Sequence, residues 1–164
     1  MRILGVSFTI IGALLLSVSA QSKEQRCASV GVDLGKRGDA IEVLHVFTGA
    51  DGKSHADNQK FAAVKTTYLG LQLAHFEFGA PSNVVIVRGP ANFPIPQHAS
   101  PYREIFMILS GGSTVELSDG THHALKPGSV VLFEDVTGLG HGGKVGPCGY
   151  VALDLQFKPV STPR

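Results

Sequence analysis

The stretches His98-Ala-Ser-Pro-Tyr-Arg-Glu104, with Gly111 seven positions later, and Leu125-Lys-Pro-Gly128, with His141 thirteen positions later, decide the fold of this chain. The first places a histidine and a glutamate at the start of a predicted strand. The second places a Pro-Gly turn before another strand and a histidine just beyond it. A small β-barrel built this way can aim two imidazoles and one carboxylate at a common point. That donor set is typical of non-haem iron and other divalent-metal centres.

Seven short runs rich in β-branched and aromatic residues predict an all-β fold. Ser118-Asp-Gly120 indicates a hairpin, and Lys126-Pro-Gly128 indicates a second tight turn. Short strands with frequent turns are typical of a sandwich or a barrel. Residues 57–64 are expected to hold at most a short helix. The predicted strands are Ile41–Phe47, Leu71–Phe78, Asn83–Val87, Glu104–Leu109, Ser113–Leu117, Val130–Phe133 and Gly149–Phe157.

The N-terminus has the pattern of a secretory signal peptide. An apolar run from Ile3 to Leu16 precedes Val18-Ser-Ala20, which suits cleavage before Gln21. An uncleaved anchor is the alternative, although the apolar run is shorter than the roughly 20 residues of a membrane helix. We therefore expect a signal peptide at 1–20, an N-terminal arm at 21–40, one β domain at 41–158 and a tail at 159–164. The expected location is the secretory pathway.

Charge and length limit the partners of the chain. The sequence has 14 Lys and Arg against 13 Asp and Glu, and removal of residues 1–20 takes away Arg2 and no acid. The remaining chain is formally neutral. This balance argues against nucleic acid or an anionic membrane as the main partner, because both favour a clustered basic face. The remaining length suits one domain with one core.

The sequence has two cysteines, Cys27 and Cys148. In a secreted chain this even count permits a disulfide, which would pin the N-terminal arm to the β domain. The spacing contains no CxxC pair and no Cys/His pattern, which argues against a cysteine-based metal site.

The two opening stretches resemble the two motifs of the cupin superfamily. The first cupin motif has a His-x-His pair, a glutamate and a glycine. His98, Glu104 and Gly111 match it, whereas Ser100 stands where the second histidine belongs. The second motif is approximated by Gly120, Pro127, Gly128 and His141. The resemblance covers roughly residues 75–157 and implies a single cupin double-stranded β-helix, or jelly-roll barrel.

Three further segments resemble a narrower group of small single-domain cupins from bacteria and fungi. These segments are Gly49–His55, Gln97–Pro101 and Leu132–Gly142. Fungal members of this group include the cupin-domain oxidoreductases of gene clusters that make salicylaldehyde-type polyketides. The likeness implies an oxidoreductase of secondary-metabolite biosynthesis, although a signal peptide fits poorly with a cytosolic pathway.

The resemblance and the ligand chemistry together predict a divalent metal held by His98, Glu104 and His141, with Glu104 and His98 also as catalytic residues. Iron, manganese, nickel, copper and zinc all suit two imidazoles and a carboxylate that leave positions open. The alternative is a polar pocket in which His98 and Glu104 form hydrogen bonds without metal. The absence of the second histidine keeps this alternative open.

Four further residues are candidates for the walls of a substrate pocket. Small-molecule sites are mostly apolar with a few convergent polar groups, which favours Tyr102, Phe106 and Phe133. His55 follows the turn-like Asp51-Gly-Lys-Ser and could fold over the barrel mouth. The alternatives are core packing for the aromatic residues and simple solvation for His55.

The expected function is oxidoreduction of a small, oxygenated, partly apolar molecule. A non-catalytic small-molecule-binding protein and a metal-dependent isomerase or lyase remain alternatives. The glycines around Gly138 lie in the wrong context for a nicotinamide site. A homodimer is an expectation that comes from the cupin resemblance alone.

Overall fold

The computed structural model describes residues 40–158, which form ten strands and no helix. The predicted all-β fold is therefore confirmed. The strands are β1 (Ala40–Thr48), β2 (Ser54–Ala62), β3 (Val64–Tyr68), β4 (Leu71–His75), β5 (Asn83–Gly89), β6 (Pro94–His98), β7 (Arg103–Leu117), β8 (His122–Leu125), β9 (Val130–Glu134) and β10 (His141–Phe157).

Eight of the strands form one mixed sheet, and β3 and β4 form a separate hairpin. The main path through the large sheet is β2-β1-β9-β7-β10-β5, with β6 added on β10 and β8 added on β7. Strand β1 runs parallel to β9, and the other pairs are antiparallel.

The two longest strands turn this sheet into a jelly roll. Strand β7 has 15 residues and β10 has 17. The first part of β7 pairs with β9 and its last part with β8, while β10 pairs with β6 at its start and with β5 at its end. The β7–β10 register shifts between Val145 and Tyr150 and again after Val151. Such irregularities bend and twist long strands, so that one pair serves both layers of the barrel.

Two apolar clusters form the core. Inside the barrel, buried residues from β1, β7, β9 and β10 pack together with Leu125 of β8. Their buried members are Val46, Ile108, Val115, Leu117, Leu125, Val131, Phe133 and Ala152. The second cluster lies on the opposite face of β1, β9, β10 and the first half of β7, because successive side chains of a strand face opposite sides. Its buried members are Val43, Ile105, Leu132 and Phe157.

Several predicted boundaries need correction. The expected short helix at 57–64 is wrong, because Ser54–Ala62 is strand β2, paired along its whole length with β1. The two predicted strands Glu104–Leu109 and Ser113–Leu117 are one strand, β7. The predicted strand Leu71–Phe78 ends at His75 and belongs to the separate hairpin. Strands β2, β3, β6 and β8 were not predicted, and the predicted strand Gly149–Phe157 is the second half of β10, which begins at His141.

The hairpin at Ser118-Asp-Gly120 and the turn at Lys126-Pro-Gly128 are confirmed. The amide of Gly120 donates to the carbonyl of Leu117 at 2.9 Å, and the amide of Ser129 donates to the carbonyl of Lys126 at 2.8 Å. These turns connect β7 to β8 and β8 to β9. They fix the register of the strands that carry Glu104 and Phe133.

The structure leaves some predictions outside its described range. Four predicted features lie outside residues 40–158: the signal peptide, the N-terminal arm except for residue 40, the tail and Cys27. Cys148 takes part in a disulfide, and its pairing with Cys27 stays a prediction. Within the described range, no helix is long and apolar enough to cross a membrane.

Candidate functional site

A cavity of about 330 Å³ lies in the barrel, between the strands that carry the two motifs. Its apolar lining comes mainly from aromatic and branched aliphatic side chains of β6, β7, β9 and β10. Its polar lining includes His98, Glu104, His141 and Arg88. The apolar lining residues include Phe93, Ile95, Phe106, Val115, Leu125, Phe133, Val145 and Tyr150. Largely apolar cavities of this size with a few convergent polar groups are typical of sites for small molecules.

Five of the seven predicted site residues line this cavity. They are His98, Glu104, Phe106, Phe133 and His141. Tyr102 is not among the lining residues, and 40% of it is exposed. Proline at position 101 delays the start of β7 until Arg103, so Tyr102 precedes the strand and does not share its alternation.

His55 is not among the residues that line the cavity, and its contact with a substrate stays a prediction. Its Nε2 lies 2.9 Å from Oδ1 of Asp51, and its Nδ1 lies 3.2 Å from Oδ2 of Asp119. The hydrogen bond to Asp51 chiefly raises the pKa of His55. His55 therefore ties the β1–β2 turn to the β7–β8 turn.

His98 and His141 face each other across two adjacent strands. They are register partners in the β6–β10 pair, and their ring centroids are 4.9 Å apart. The Nδ1 of His98 lies 2.8 Å from the carbonyl oxygen of Pro96. A carbonyl can only accept, so Nδ1 of His98 carries a proton and donates it.

The His141 ring is held on two sides. Its Nδ1 lies 2.8 Å from Oδ2 of Asp135, and both residues are buried. The ring of Phe133 stacks on the imidazole with centroids 4.4 Å apart and an interplanar angle of 17°. The carboxylate fixes the protonated nitrogen and the phenyl ring fixes the imidazole plane.

Ser100 donates two hydrogen bonds to Asp135. Its hydroxyl donates to Oδ1 of Asp135 at 3.1 Å, and its amide donates to the carbonyl of the same residue at 3.0 Å. Ser100 is 2% exposed and is not among the lining residues of the cavity. The residue at the position of the missing histidine therefore belongs to a buried chain Ser100–Asp135–His141.

The two imidazoles use the same nitrogen, Nδ1, for their hydrogen bonds to protein acceptors. Because Nδ1 of each ring is occupied by an acceptor, Nε2 is the remaining nitrogen of His98 and of His141. In a neutral imidazole whose Nδ1 bears the proton, Nε2 is an unprotonated lone pair. Such a nitrogen can accept a proton or bind a metal ion.

Glu104 has an unusual protonation state for a glutamate. Burial raises its pKa to about 8, with further contributions from the charges of Asp154 and Asp135. The carboxyl group is therefore largely protonated at neutral pH and can donate a hydrogen bond. A neutral carboxylic acid that lines the same cavity as two imidazoles supplies groups suited to proton transfer.

Asp154 and Tyr150 lie on β10, which pairs with β7, the strand that carries Glu104. Asp154 is buried, and its Oδ1 has no hydrogen-bond partner among the described residues. Burial raises the pKa of Asp154, and burial followed by the charges of Glu104 and Asp154 raises the pKa of Tyr150. The Tyr150 ring packs edge-on against Phe106, with centroids 5.7 Å apart. The cavity thus has an aromatic wall beside an acidic cluster.

The predicted metal ligands do not form a three-ligand centre in this structure. Over residues 40–158, no group of three or more His, Cys, Asp or Glu side chains is arranged to hold one ion. The two histidines approach each other, but Glu104 does not complete a set with them. Ser100, which stands where the motif resemblance would place a second histidine, donates its hydroxyl to Asp135. A metal centre on His98, Glu104 and His141 stays a prediction.

Sequence reasoning missed Asp135, Asp154 and Tyr150. A weak signal existed for Asp135, because an acid six positions before a candidate histidine can reach its ring across a loop. No signal existed for Asp154 or Tyr150, which lie in an apolar strand whose register with β7 contains shifts.

No protein-family model and no curated protein matches the sequence. Among solved structures, the chain is similar to that of the DMSP lyase DddQ from Ruegeria pomeroyi DSS-3, at 23% identity and a TM-score of 0.43. This similarity covers 63% of the chain and 49% of the lyase, so the chain spans about half of the lyase. A putative ethanolamine utilization protein Q from Salmonella typhimurium LT2 is 18% identical with a TM-score of 0.35, over 73% of this chain and 98% of that protein. Likenesses this weak carry no argument about function, and the resemblance to fungal polyketide cupins stays an interpretation of the motifs.

Proposed function

We propose that the cavity binds a small, oxygenated, partly apolar molecule and that His141 transfers a proton to or from it. The chain Ser100–Asp135–His141 carries this proposal. A buried carboxylate behind an imidazole selects one tautomer and stabilises the cation that forms when Nε2 accepts a proton. The aromatic wall around Phe106 supplies the apolar part of the binding site.

The chemistry that fits these groups is an acid–base isomerisation or elimination. The Nε2 of His141 takes a proton from a carbon next to a carbonyl group. Glu104 gives its proton to the carbonyl oxygen, so that a C–H bond breaks, an O–H bond forms and the substrate becomes an enol. Return of a proton to another carbon, or loss of a leaving group, completes the reaction, and no oxidant is needed.

A metal-dependent oxidoreductase is the second candidate. It is favoured by His98 and His141, which both line the cavity, have ring centroids 4.9 Å apart and use Nδ1 for other hydrogen bonds, so that both Nε2 atoms remain for an ion. A divalent ion bound there would supply Lewis-acid and redox chemistry. The substrate class would then be an oxygenated metabolite such as the polyketide aldehydes of the resembling fungal enzymes.

Hydrogen–deuterium exchange tests the first proposal. The purified protein is incubated in D₂O with phenylpyruvate or 2-hydroxyacetophenone, and the loss of proton signal next to the carbonyl is followed by NMR. We expect exchange that His141→Gln abolishes and that a chelator does not affect. His122→Gln, which changes a histidine outside the cavity lining, is the matched control. Exchange that survives in His141→Gln would contradict the assignment of the base.

Elemental analysis separates the two candidates. Stoichiometric iron, manganese, nickel, copper or zinc, together with loss of turnover on its removal, would support the oxidoreductase. Metal-free protein that catalyses exchange would support proton transfer. Metal-free protein that binds the two probes without exchange would indicate a binding protein.

A further inference from the structure

We propose that Ser54 is a positioning residue for His141 and acts through the backbone carbonyl of Gly140, an inference that rests on the proton-transfer function proposed above. Ser54 lies 87 positions before His141 in the sequence and is not among the residues that line the cavity. Its side chain is completely buried. A buried hydroxyl needs partners, and the partners of this one lead to the base.

The hydroxyl of Ser54 has a fixed direction. It donates its proton to the carbonyl oxygen of Gly140 at 2.6 Å. It accepts from the backbone amide of Ser118 at 2.9 Å, and its own amide donates to the hydroxyl of Ser118 at 2.7 Å. The Ser118 hydroxyl also lies 3.1 Å from that of Ser54. The Gly140 carbonyl can only accept, so the one hydroxyl hydrogen of Ser54 goes to it and the Ser118 hydroxyl donates to Ser54.

The Gly140 carbonyl belongs to the peptide unit that carries the amide of His141. Because that unit is planar, fixing its oxygen also fixes the plane in which the His141 backbone begins. The backbone of Gly140 is tightly confined from the other side. Its φ is +67°, and an added Cβ would lie 1.9 Å from the carbonyl oxygen of His98. The peptide unit is thus held between Ser54 and strand β6, next to both imidazoles.

Two more contacts join the β1–β2 region to the loop that precedes His141. The amide of Leu139 donates to the carbonyl of Gly52 at 2.9 Å. The hydroxyl of Thr48 donates to the carbonyl of Thr137 at 2.9 Å. The β1–β2 hairpin therefore holds this loop at three points, of which Ser54 is the nearest to His141 and the most buried.

Removal of the hydroxyl by Ser54→Ala tests the inference. The direct readout is the imidazole Nδ1–H resonance of His141, which is protected by its hydrogen bond to Asp135. We expect this resonance to broaden or disappear in Ser54→Ala. We also expect kcat for the exchange reaction to fall by about tenfold with KM little changed, because a small displacement of the base affects the reacting geometry more than binding.

Two further variants supply a control and a second way to loosen the same loop. Ser82→Ala is the matched control, because Ser82 also donates its hydroxyl to a backbone carbonyl, that of Gln156 at 3.0 Å, but on strand β10 remote from the loop. It should leave the resonance and kcat unchanged. If Ser54→Ala does not fold, Thr48→Val removes a second contact to the same loop with almost no change of shape. It should shift the same resonance.

The inference is overturned if Ser54→Ala, or Thr48→Val in its place, lowers the melting temperature while the His141 resonance stays as in the wild type. The resonance does not depend on turnover. A wild type that shows no exchange, combined with a resonance lost in Ser54→Ala, would therefore disprove the proposed reaction and leave the positioning role of Ser54 standing.

Discussion

Ser100 and Asp135 lie 35 positions apart in the sequence and are joined by two hydrogen bonds, one from the Ser100 hydroxyl at 3.1 Å and one from its amide at 3.0 Å. In the motif resemblance described above, position 100 is the place of a histidine ligand. Here a serine at that position faces the carboxylate that orients His141. Ser100 therefore acts through Asp135 on the orientation of the His141 imidazole.

The raised pKa of Glu104 predicts a pH-dependent stability. The folded state binds the Glu104 proton more tightly than the unfolded chain, so the free energy of unfolding falls as pH rises from about 4.5 to about 8. Glu104→Gln removes this dependence and should stabilise the protein above pH 8 by on the order of a few kcal/mol. Denaturant unfolding of the wild type and of Glu104→Gln at pH 5 and pH 8.5 measures these free energies.

The exposed Glu116 on the same strand offers the matched control, because Glu116→Gln should leave the pH dependence of the free energy of unfolding unchanged. Addition of a divalent metal extends the test. If Glu104 binds the ion as a carboxylate, metal should stabilise the wild type above pH 8 and should not stabilise Glu104→Gln. A wild type with a flat profile from pH 5 to pH 8.5 without metal would contradict the protonated state of Glu104.

Asp135→Asn should lower the exchange rate by more than any accompanying loss of folding stability can explain. The substitution keeps the size of the side chain and removes the charge that stabilises a protonated His141. A loss of about 10- to 100-fold in the exchange rate is expected from the effect of such supporting carboxylates. Asp57→Asn is the matched control, because Asp57 contacts Nδ1 of His45 at 3.0 Å in an Asp–His pair outside the cavity. Equal losses in both variants would show that the effect is not specific to the site.

Gly111→Ala should destabilise the protein strongly. Gly111 lies within β7 with a φ of +70°, and a Cβ would lie 2.0 Å from the carbonyl oxygen of Gly149. Gly120 has a φ of +93° and open space around it, so Gly120→Ala should cost only about 1 kcal/mol or slightly more. Denaturant unfolding of the two variants compares them. Similar losses would show that the contact with Gly149 relaxes easily.

His55 should contribute to stability at low pH and lose that contribution as pH rises. The hydrogen bond to Asp51 raises its pKa above the ordinary value of 6.5. The contribution is therefore complete below 6.5 and is lost as pH rises through the raised folded-state pKa. His55→Gln should lower the melting temperature at pH 5.5 more than at pH 8.5, and His122→Gln should not. A deficit that is equal at both pH values would contradict the ionic role of His55.

The thiols of Cys27 and Cys148 should be joined when the protein is made through an oxidising secretory route. Mass spectrometry of the non-reduced protein should then give a mass lower than that of the dithiol form by two hydrogen atoms. Cys148→Ser provides the reference, since its mass should not change on reduction. Free thiols in freshly purified wild type would contradict the pairing.

The sequence was sufficient for the fold class and for the residues that the two motifs mark. Turn residues and β-branched runs are local signals, which is why the turns at residues 118–120 and 126–128 were predicted correctly. Strand β2 was missed because its exposed half, Asp57 to Lys60, is polar and lacks the β-branched residues that usually identify a strand.

The rest of the site depends on contacts that no local pattern encodes. Asp135 reaches His141 across a loop, and Ser54 reaches the same loop from another hairpin. His55 shows the opposite case: its place after a turn suggested a pocket residue, but two nearby aspartates bind both of its ring nitrogens. Whether an isolated histidine faces a cavity or a carboxylate is decided by tertiary pairing.

The pairing of β10 with β5, β6 and β7 also determines when the site can form during synthesis. His98 and Glu104 leave the ribosome well before His141, which begins β10. Because β10 is the last described strand and lines the cavity with His141, Gly142, Val145 and Tyr150, a chain that ends before β10 lacks the second imidazole and this part of the wall. Long-range pairing of this kind forms late in folding. A nascent or C-terminally truncated chain without β10 therefore lacks a complete site. We expect such a chain to bind neither an ion nor a metabolite there.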